Sequence, residues 1–201
     1  MRSNLEENEA AEQENREKLI RLNCRLEAKP FHSLLPIATM CDKMTGRIFQ
    51  LNVSPGGVPK LAIQHGLVHQ LGMIGDAHRF PKIHGGPERA LCLFSLERIL
   101  ELQEEGHPIF PGAVGENVTI AGLDWNELKP GTRLRLGEEV EVELTSYTKP
   151  CNTILQYFVE GNYHRINQAL HPGHSRIYAR ILSNGTVRVG QAVRLLNGSA
   201  E

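Results

Sequence analysis

The chain from about residue 34 onward consists of short β-branched and apolar runs that glycine and proline separate. Glycine allows positive φ angles and proline fixes φ, so both residues favour the turns that join short elements. Runs of this length with such punctuation are typical of strands. The pattern predicts a mainly β or α+β fold, and 201 residues suffice for one such domain with an appendage.

The strands can be placed from the apolar runs. Asn184 and Gly185 lie between the last two runs, and an Asn-Gly pair is a strong signal for a hairpin or another tight β connection. We predict strands at residues 47–53, 116–120, 133–136, 140–144, 177–182 and 192–196.

Helices are predicted at two places inside this domain. Ser95 can cap the segment ERILELQEEG, and Gly106 can end it. The apolar residues expected to face inward are Ile99, Leu100 and Leu102. A second helical stretch is expected between residues 153 and 171.

The first 33 residues form a polar extension, and the domain itself is predicted to span residues 34–201. Glu, Asn, Gln, Lys and Arg dominate residues 1–29, and Pro30 marks the end of a helix because proline restricts the residue before it. A short apolar stripe at helical spacing predicts that the extension is partly helical. A helix docked on its own domain and a helix that binds a partner both fit this stripe.

Charge and hydropathy exclude several functional classes. The formal net charge of −1 gives no basis for nucleic-acid binding, which needs a strongly basic surface. The sequence has no apolar stretch long enough to span a membrane, and its N-terminus lacks the layout of a secretory signal. The cysteines lie far apart, which favours reduced thiols over zinc or dithiol motifs. We expect a soluble, cytoplasmic protein without a membrane or nucleic-acid partner.

A polar, glycine-rich segment, GDAHRFPKIHGGPERAL, is the first candidate site. Its Gly-Gly pair allows backbone N–H groups to approach a ligand closely, and Arg89 supplies a charged fork for a phosphate or carboxylate. The segment therefore predicts an anion site that includes His84. A solvated polar loop is the alternative interpretation. A metal site built from His78 and His84 is a further one, with an incomplete ligand set.

Cys151 is the strongest candidate nucleophile or metal ligand. It follows Pro150 directly after a predicted strand, and the adjacent Lys149 favours the thiolate, the form that binds metals and attacks electrophiles. Cys92 lies inside the apolar run ALCLF and is expected to be a buried, inert thiol. Upstream, the turn PGAVGEN places Asn117 where its amide can bind a ligand or tie down the neighbouring loop.

Taken in order, these motifs resemble the MOSC domain, the C-terminal module of molybdenum cofactor sulfurases. The likeness includes GRIFQLNVSPGGVPK, MIGDAHRFPKIHGGPERALCLFS, PGAVGENVTIAG, the segment that ends in TKPC, and IYARILSNGTVRVGQAVRLL. It covers roughly residues 35–197, and the layout is similar to that of short bacterial members. The resemblance implies a β-barrel with a few peripheral helices.

The resemblance also implies a cofactor and its ligands. Cys151 would ligate molybdenum or carry sulfur, and His84, Arg89 and Asn117 would hold the pterin phosphate of a molybdopterin-type cofactor. We add Lys60, Lys149 and Arg176 to the cofactor-binding set on the basis of their charge. The implied activity is the reduction of N-hydroxylated or N-oxide compounds.

The expected partners follow from what the sequence lacks. No flavin or iron–sulfur motif is present, so electrons would come from separate electron-transfer proteins, and a homodimer is left open. The pyridoxal-phosphate desulfurase domain of long sulfurases is expected to be absent, because this chain has no room for it. Two alternatives to an oxidoreductase remain: a sulfur or cofactor carrier that serves other molybdoenzymes, and a cofactor-free scaffold.

Overall fold

The structure is a computed structural model that describes residues 45–77 and 85–196. The extension 1–33, the boundary that follows it and the segment with His78 and His84 lie outside these ranges. The described residues include one α-helix, α1 (Leu96–Glu104), and short 3₁₀ helices at Pro87–Arg89, Asn152–Tyr157, Val159–Gly161 and Tyr163–Ile166. Their strands are β1 Thr45–Val53, β2 Leu61–Ile63, β3 His65–His69, β4 Gly72–Met73, β5 Leu91–Ser95, β6 Val118–Ala121, β7 Arg133–Leu136, β8 Val140–Tyr147, β9 Ile177–Ser183, β10 Gly185–Arg188 and β11 Ala192–Leu196.

Seven of these described strands close into a barrel. Their order is β11–β7–β8–β9–β5–β6–β1, and β11 pairs again with β1 to complete the ring. The pairs are antiparallel except for β5 and β6, which are parallel. Closure leaves these seven strands without a free edge, while β2 pairs with β1 outside the ring. The mainly β, barrel-type fold predicted from the sequence is confirmed.

Alternation of apolar and polar residues explains the barrel core. In β8, Val140, Val142 and Leu144 are buried, and the glutamates between them are half-buried. The adjacent β7 repeats the pattern, with two buried leucines that alternate with two arginines. Successive side chains of a strand point to opposite faces, so this alternation places one apolar face of each strand in the core. Strands at 133–136, 140–144 and 192–196 were predicted correctly.

Helix α1 supplies the connection that the parallel pair requires. Parallel strands cannot be joined by a tight turn, and α1 begins the crossover that links β5 to β6. Ser95 caps the helix as predicted, since its side chain accepts a hydrogen bond from the backbone N–H of Arg98. Ile99 and Leu102 are buried, whereas Leu100 is only half-buried. The helix therefore packs against the core through one apolar face.

The structure decides between the alternatives of one local prediction and corrects another. Asn184 and Gly185 do not form a hairpin, because β10 pairs with β3 in a separate sheet, β10–β3–β4, and not with β9. They form the tight connection that was the alternative. The stretch 153–171 contains short 3₁₀ helices instead of one long helix. Glu160 and Gly161 have φ angles of 55° and 67°, and left-handed residues interrupt a continuous helix.

Candidate functional site

A cavity of about 340 Å³ lies on the wall formed by β5 and β9. Antiparallel pairing aligns Cys92 with Tyr178, and both side chains line the cavity. The residues on either side of them, such as Leu91 and Ala179, point to the opposite face and are buried in the core. The cavity is lined by Gly56, Gly57, Val58, Lys60, Ala77, Cys92, Val114, Gly115, Asn117, Lys149, Cys151, Thr153, Ile154, Gln156, Arg176 and Tyr178.

Five of the residues predicted from the sequence meet in this cavity. They come from four separate segments of the chain, and they are Lys60, Asn117, Lys149 with Cys151, and Arg176. Arg89 does not line the cavity, but its guanidinium carbon lies 5.7 Å from the ring centroid of Tyr178, which does. His84 lies outside the described residues, so its place in the site stays a prediction.

Cys151 presents a thiol to the cavity at the end of β8. It has extended backbone angles and directly precedes the 3₁₀ helix Asn152–Tyr157. The residue is half-buried, and its Sγ lies 3.0 Å from the Oγ1 of Thr153. A thiol in this position is accessible from the cavity and has a hydroxyl neighbour that fixes its direction. It can act as a metal ligand or as a sulfur carrier.

Lys60 faces the cavity as part of a buried ion pair. Its Nζ contacts Oδ2 of Asp76, and the two side chains are 7% and 3% exposed. The Nδ2 of Asn117 donates to the same Oδ2 over 2.9 Å, while the backbone N–H of Ser54 donates to Oδ1 over 2.9 Å. Asp76 therefore compensates the charge of Lys60 and holds two cavity side chains in place.

The carboxamide of Asn117 is engaged within the fold. Its Oδ1 accepts a hydrogen bond from the backbone N–H of Cys92 over 3.1 Å. Its Nδ2 donates to the carbonyl of Asn52 as well as to Asp76. The backbone N–H of Asn117 also donates to the carbonyl of Cys92 over 2.7 Å, next to the start of the β5–β6 pairing. The structure thus gives Asn117 the role of tying β5 to the loop before β6.

Arg176 supplies a cationic group with an unused donor. It is 8% exposed, and one terminal nitrogen donates to the carbonyl of Val114. Its Nε is buried and has no hydrogen-bond partner within the described part of the chain. Unpaired buried donors are costly, so an anionic ligand in the cavity would relieve this cost. The exposed Lys149 adds a second cation at the rim.

The remaining titratable groups near the cavity favour their neutral forms. Burial raises the pKa of the Cys92 thiol to about 11, which agrees with the inert role predicted for it. Burial also raises the pKa of Glu116, whose Oε1 accepts hydrogen bonds from the backbone N–H of Gly112 and the hydroxyl of Thr119. Glu116 thus ties down its own loop.

Sequence reasoning missed two residues of the site. Asp76 was noted within its polar segment, but its pairing with Lys60 was not foreseen. Tyr178 was not singled out, although it lies two positions after Arg176 at the start of a predicted strand.

The described residues contain neither a cluster of metal-binding side chains nor a membrane-spanning helix. Within 45–77 and 85–196, no group of three or more His, Cys, Asp or Glu side chains could hold a metal ion. In the same ranges, no helix is long and apolar enough to cross a membrane.

The described strands thus form a closed β-barrel with a cavity lined by two thiols beside β5 and β9, and comparison with known proteins identifies the family. The family model for the MOSC domain matches residues 81–194. This chain belongs to the MOSC family.

Relatives share both sequence and fold. YflK of Bacillus subtilis (strain 168) is 31% identical over 124 residues, which cover 61% of this chain and 55% of YflK. YiiM of Escherichia coli (strain K12) is 30% identical over 123 residues, which cover 58% and 54%. The chain thus spans about half the length of these relatives. The crystal structure of the YUAD protein of Bacillus subtilis has the same fold, with a TM-score of 0.63 at 19% identity, covering 76% of this chain and 96% of that one.

Proposed function

We propose that the cavity binds a molybdenum cofactor, with the pterin phosphate near Arg176 and molybdenum at the Cys151 thiol. The observation that carries this proposal is the presence, in one cavity, of an accessible thiol and a buried guanidinium whose Nε has no hydrogen-bond partner among the described residues. An anion would satisfy that donor, and a soft thiolate suits a transition metal. The residues present therefore fit the group.

The charges of the cavity support an anionic ligand. Asp76 compensates Lys60, and the raised pKa of Glu116 opposes a negative charge there, so Arg176 and Lys149 leave the cavity walls cationic. The backbone at Gly56, Gly57 and Gly115 also faces the cavity without side chains that would block close approach. We assign a supporting role in cofactor binding to His84 and Arg89. In the sequence they lie between two cavity-lining residues, Ala77 and Cys92.

The reaction we propose is the reduction of N-hydroxylated or N-oxide compounds. The cofactor, when bound, supplies the two-electron chemistry. Cleavage of the N–O bond of a hydroxylamine consumes two electrons and two protons and yields an amine and water. Separate electron-transfer proteins supply the electrons. The chain's own residues bind the anionic part of the cofactor, hold the thiolate at Cys151 and shape the space for substrate. Reduced thiols at Cys92 and Cys151 fit a cytoplasmic location.

The test compares two thiol variants of the same cavity. Protein is produced in a host that makes molybdenum cofactor, and molybdenum and pterin are measured in the wild type, Cys151→Ser and Cys92→Ala. We expect both components in the wild type and in Cys92→Ala, and loss of molybdenum in Cys151→Ser. Absence of molybdenum from the wild type, or an equal content in Cys151→Ser, would overturn the proposal.

A second readout uses thiol alkylation followed by peptide mass spectrometry. Iodoacetamide should label Cys151 in the folded protein but not Cys92, which is 5% exposed and has a raised pKa. Bound cofactor should protect Cys151. A persulfide on Cys151 without reductase activity in the presence of electron donors would instead assign the carrier function.

A further inference from the structure

We propose that Glu116 governs how strongly the cavity binds anions, because it holds the guanidinium of Arg176 in place while uncharged and competes for its positive charge when ionised. Glu116 does not line the cavity and acts through Arg176, so it is a positioning residue. The identity of the natural anion, a cofactor phosphate, rests on the proposed function above. The role of Glu116 rests on the turn that joins it to Arg176 and on its buried surroundings.

A short turn connects Glu116 to Arg176. The Oε1 atom of Glu116 accepts a hydrogen bond from the backbone N–H of Gly112 over 2.6 Å. The N–H of Gly115 donates to the Gly112 carbonyl over 3.3 Å and closes the turn. Between these two glycines, the carbonyl of Val114 accepts a hydrogen bond from a terminal nitrogen of Arg176. Glu116 therefore holds one end of the turn that orients the guanidinium.

The same turn forms part of the cavity wall. Val114 and Gly115 both line the cavity together with Arg176. Gly115 has a φ angle of 88°, and a Cβ atom there would lie 3.1 Å from Cγ1 of Val58 and 3.8 Å from the terminal nitrogen of Arg176 that bonds Val114. A residue that fixes this turn therefore also fixes the direction in which Arg176 faces an anion.

Glu116 and Arg176 each carry a buried polar atom that has no hydrogen-bond partner within the described ranges, Oε2 and Nε respectively. Glu116 is fully buried. A negative charge on Oε2 would be neither hydrated nor hydrogen-bonded, which is costly in a protein interior. In the uncharged carboxyl group, Oε1 can remain the oxygen that accepts from Gly112 and from the hydroxyl of Thr119, while Oε2 carries the proton. These contacts favour the uncharged form.

The ionisable groups around Glu116 determine how it responds to an anion. Burial raises the pKa of Glu116, while its hydrogen bonds and the positive charge of Arg176 act in the opposite direction. Cys92 also interacts with Glu116, but burial raises the pKa of that thiol and keeps it uncharged. Lys60 and Asp76, which both act on Cys92, compensate each other as an ion pair. Arg176 is therefore the charged group that couples Glu116 to the cavity.

This coupling predicts how anion affinity depends on pH. An uncharged Glu116 leaves the positive charge of Arg176 to the bound anion. An ionised Glu116 opposes a second negative charge near Arg176, so anion affinity falls as the pH rises through the pKa of Glu116. The coupling is reciprocal, so a bound anion raises the pKa of Glu116 further. Glutamine at this position keeps the Oε1 acceptor and cannot ionise.

The experiment measures sulfate binding, because sulfate remains a dianion at both pH 5 and pH 9. Cofactor-free wild type, Glu116→Gln and the control Glu104→Gln, which replaces an exposed side chain, are titrated by calorimetry at the two pH values. The ratio of the sulfate affinities of Glu116→Gln and wild type should rise about tenfold from pH 5 to pH 9, which is within the usual range for two coupled sites. The same ratio for Glu104→Gln should stay constant. A constant ratio for Glu116→Gln, or no sulfate binding by the wild type, would overturn the proposal.

A measurement on the wild type alone guards against a folding defect in the variant. The infrared band of a protonated carboxyl group should persist to higher pH than exposed carboxyl groups allow, and sulfate should shift its loss to still higher pH. A band that disappears together with the exposed carboxyl groups, or a loss that sulfate does not shift, would contradict the proposal. Missing molybdenum in protein from a cofactor-producing host would refute the proposed function, whereas the sulfate comparison would still decide the role of Glu116.

Discussion

Lys60 and Asp76 form an ion pair inside the cavity wall, and both side chains are less than a tenth exposed. The carboxylate of Asp76 also accepts hydrogen bonds from Asn117 and Ser54. One acidic residue thereby connects the loop after β1 with the segment that leads into β6. The cavity owes its shape at this point to a charged contact and not to apolar packing.

Asp76→Asn should be strongly destabilising. It leaves the ammonium of Lys60 buried without a counter-charge, and breaking a buried pair from one side costs about 3–5 kcal/mol in the free energy of unfolding. Urea denaturation measures this change. The control is Glu88→Gln, which removes a partner 3.3 Å from Arg180 on the surface and should cost less than about 1 kcal/mol. Similar losses in the two variants would argue against the structural role of Asp76.

Glu116→Gln should gain stability relative to the wild type as the pH rises. Burial raises the pKa of Glu116 in the folded state above its ordinary value of 4.5. Ionisation of Glu116 therefore favours the unfolded chain at pH values above 4.5. The contribution of Glu116 to the free energy of unfolding is present below that pH and is lost as the pH rises towards the pKa of the folded state. Glutamine does not ionise and can keep the acceptor role of Oε1.

The measurement is the unfolding free energy at pH 4 and pH 7 for wild type, Glu116→Gln and the exposed control Glu104→Gln. We expect the difference between Glu116→Gln and wild type to move in favour of the variant at the higher pH. The control should show no such movement. A difference that is independent of pH would show that Glu116 ionises normally in the fold.

Gly112→Ala should be more harmful than Gly106→Ala, although both glycines have left-handed φ angles, 92° and 90°. Either alanine pays about 1–2 kcal/mol for that conformation. At Gly112 the new Cβ also collides with the carbonyl of Lys60, whose N–H donates to the Gly112 carbonyl over 2.9 Å, while at Gly106 the space is open. We expect a further loss of about 1–3 kcal/mol at Gly112, measured by thermal unfolding. Equal losses of stability in the two variants would mean that the contact between residue 112 and the Lys60 carbonyl can adjust without cost.

The predictability of each strand depended on how many of its faces are buried. β7 and β8 have one polar face, so their alternation could be read from the sequence. All five residues of β5 are buried, because one face lies in the core and the other is covered by the cavity and its surroundings. A short, wholly apolar run fits a buried helix as well as a strand, so β5 could not be assigned with the same rules.

The residues of the site also divide into those that could be predicted from the sequence and those that could not. The thiol of Cys151 and the cation of Arg176 could be proposed from residue type and local context alone. The role of Asp76 could not, because its contacts with Lys60 and Asn117 join positions 16 and 41 residues apart in the chain. Such contacts arise only when the barrel brings distant loops together.

Closure of the barrel also sets the point in synthesis at which the fold can be completed. The ring is completed when Thr45, Gly46 and Arg47 pair with residues 192–194, near the opposite end of the described chain. A nascent chain still lacking β11 has an open ring, so the closed barrel forms only after synthesis of that strand. A ligand that binds only the closed ring adds its binding free energy to the resistance of the whole barrel against unfolding.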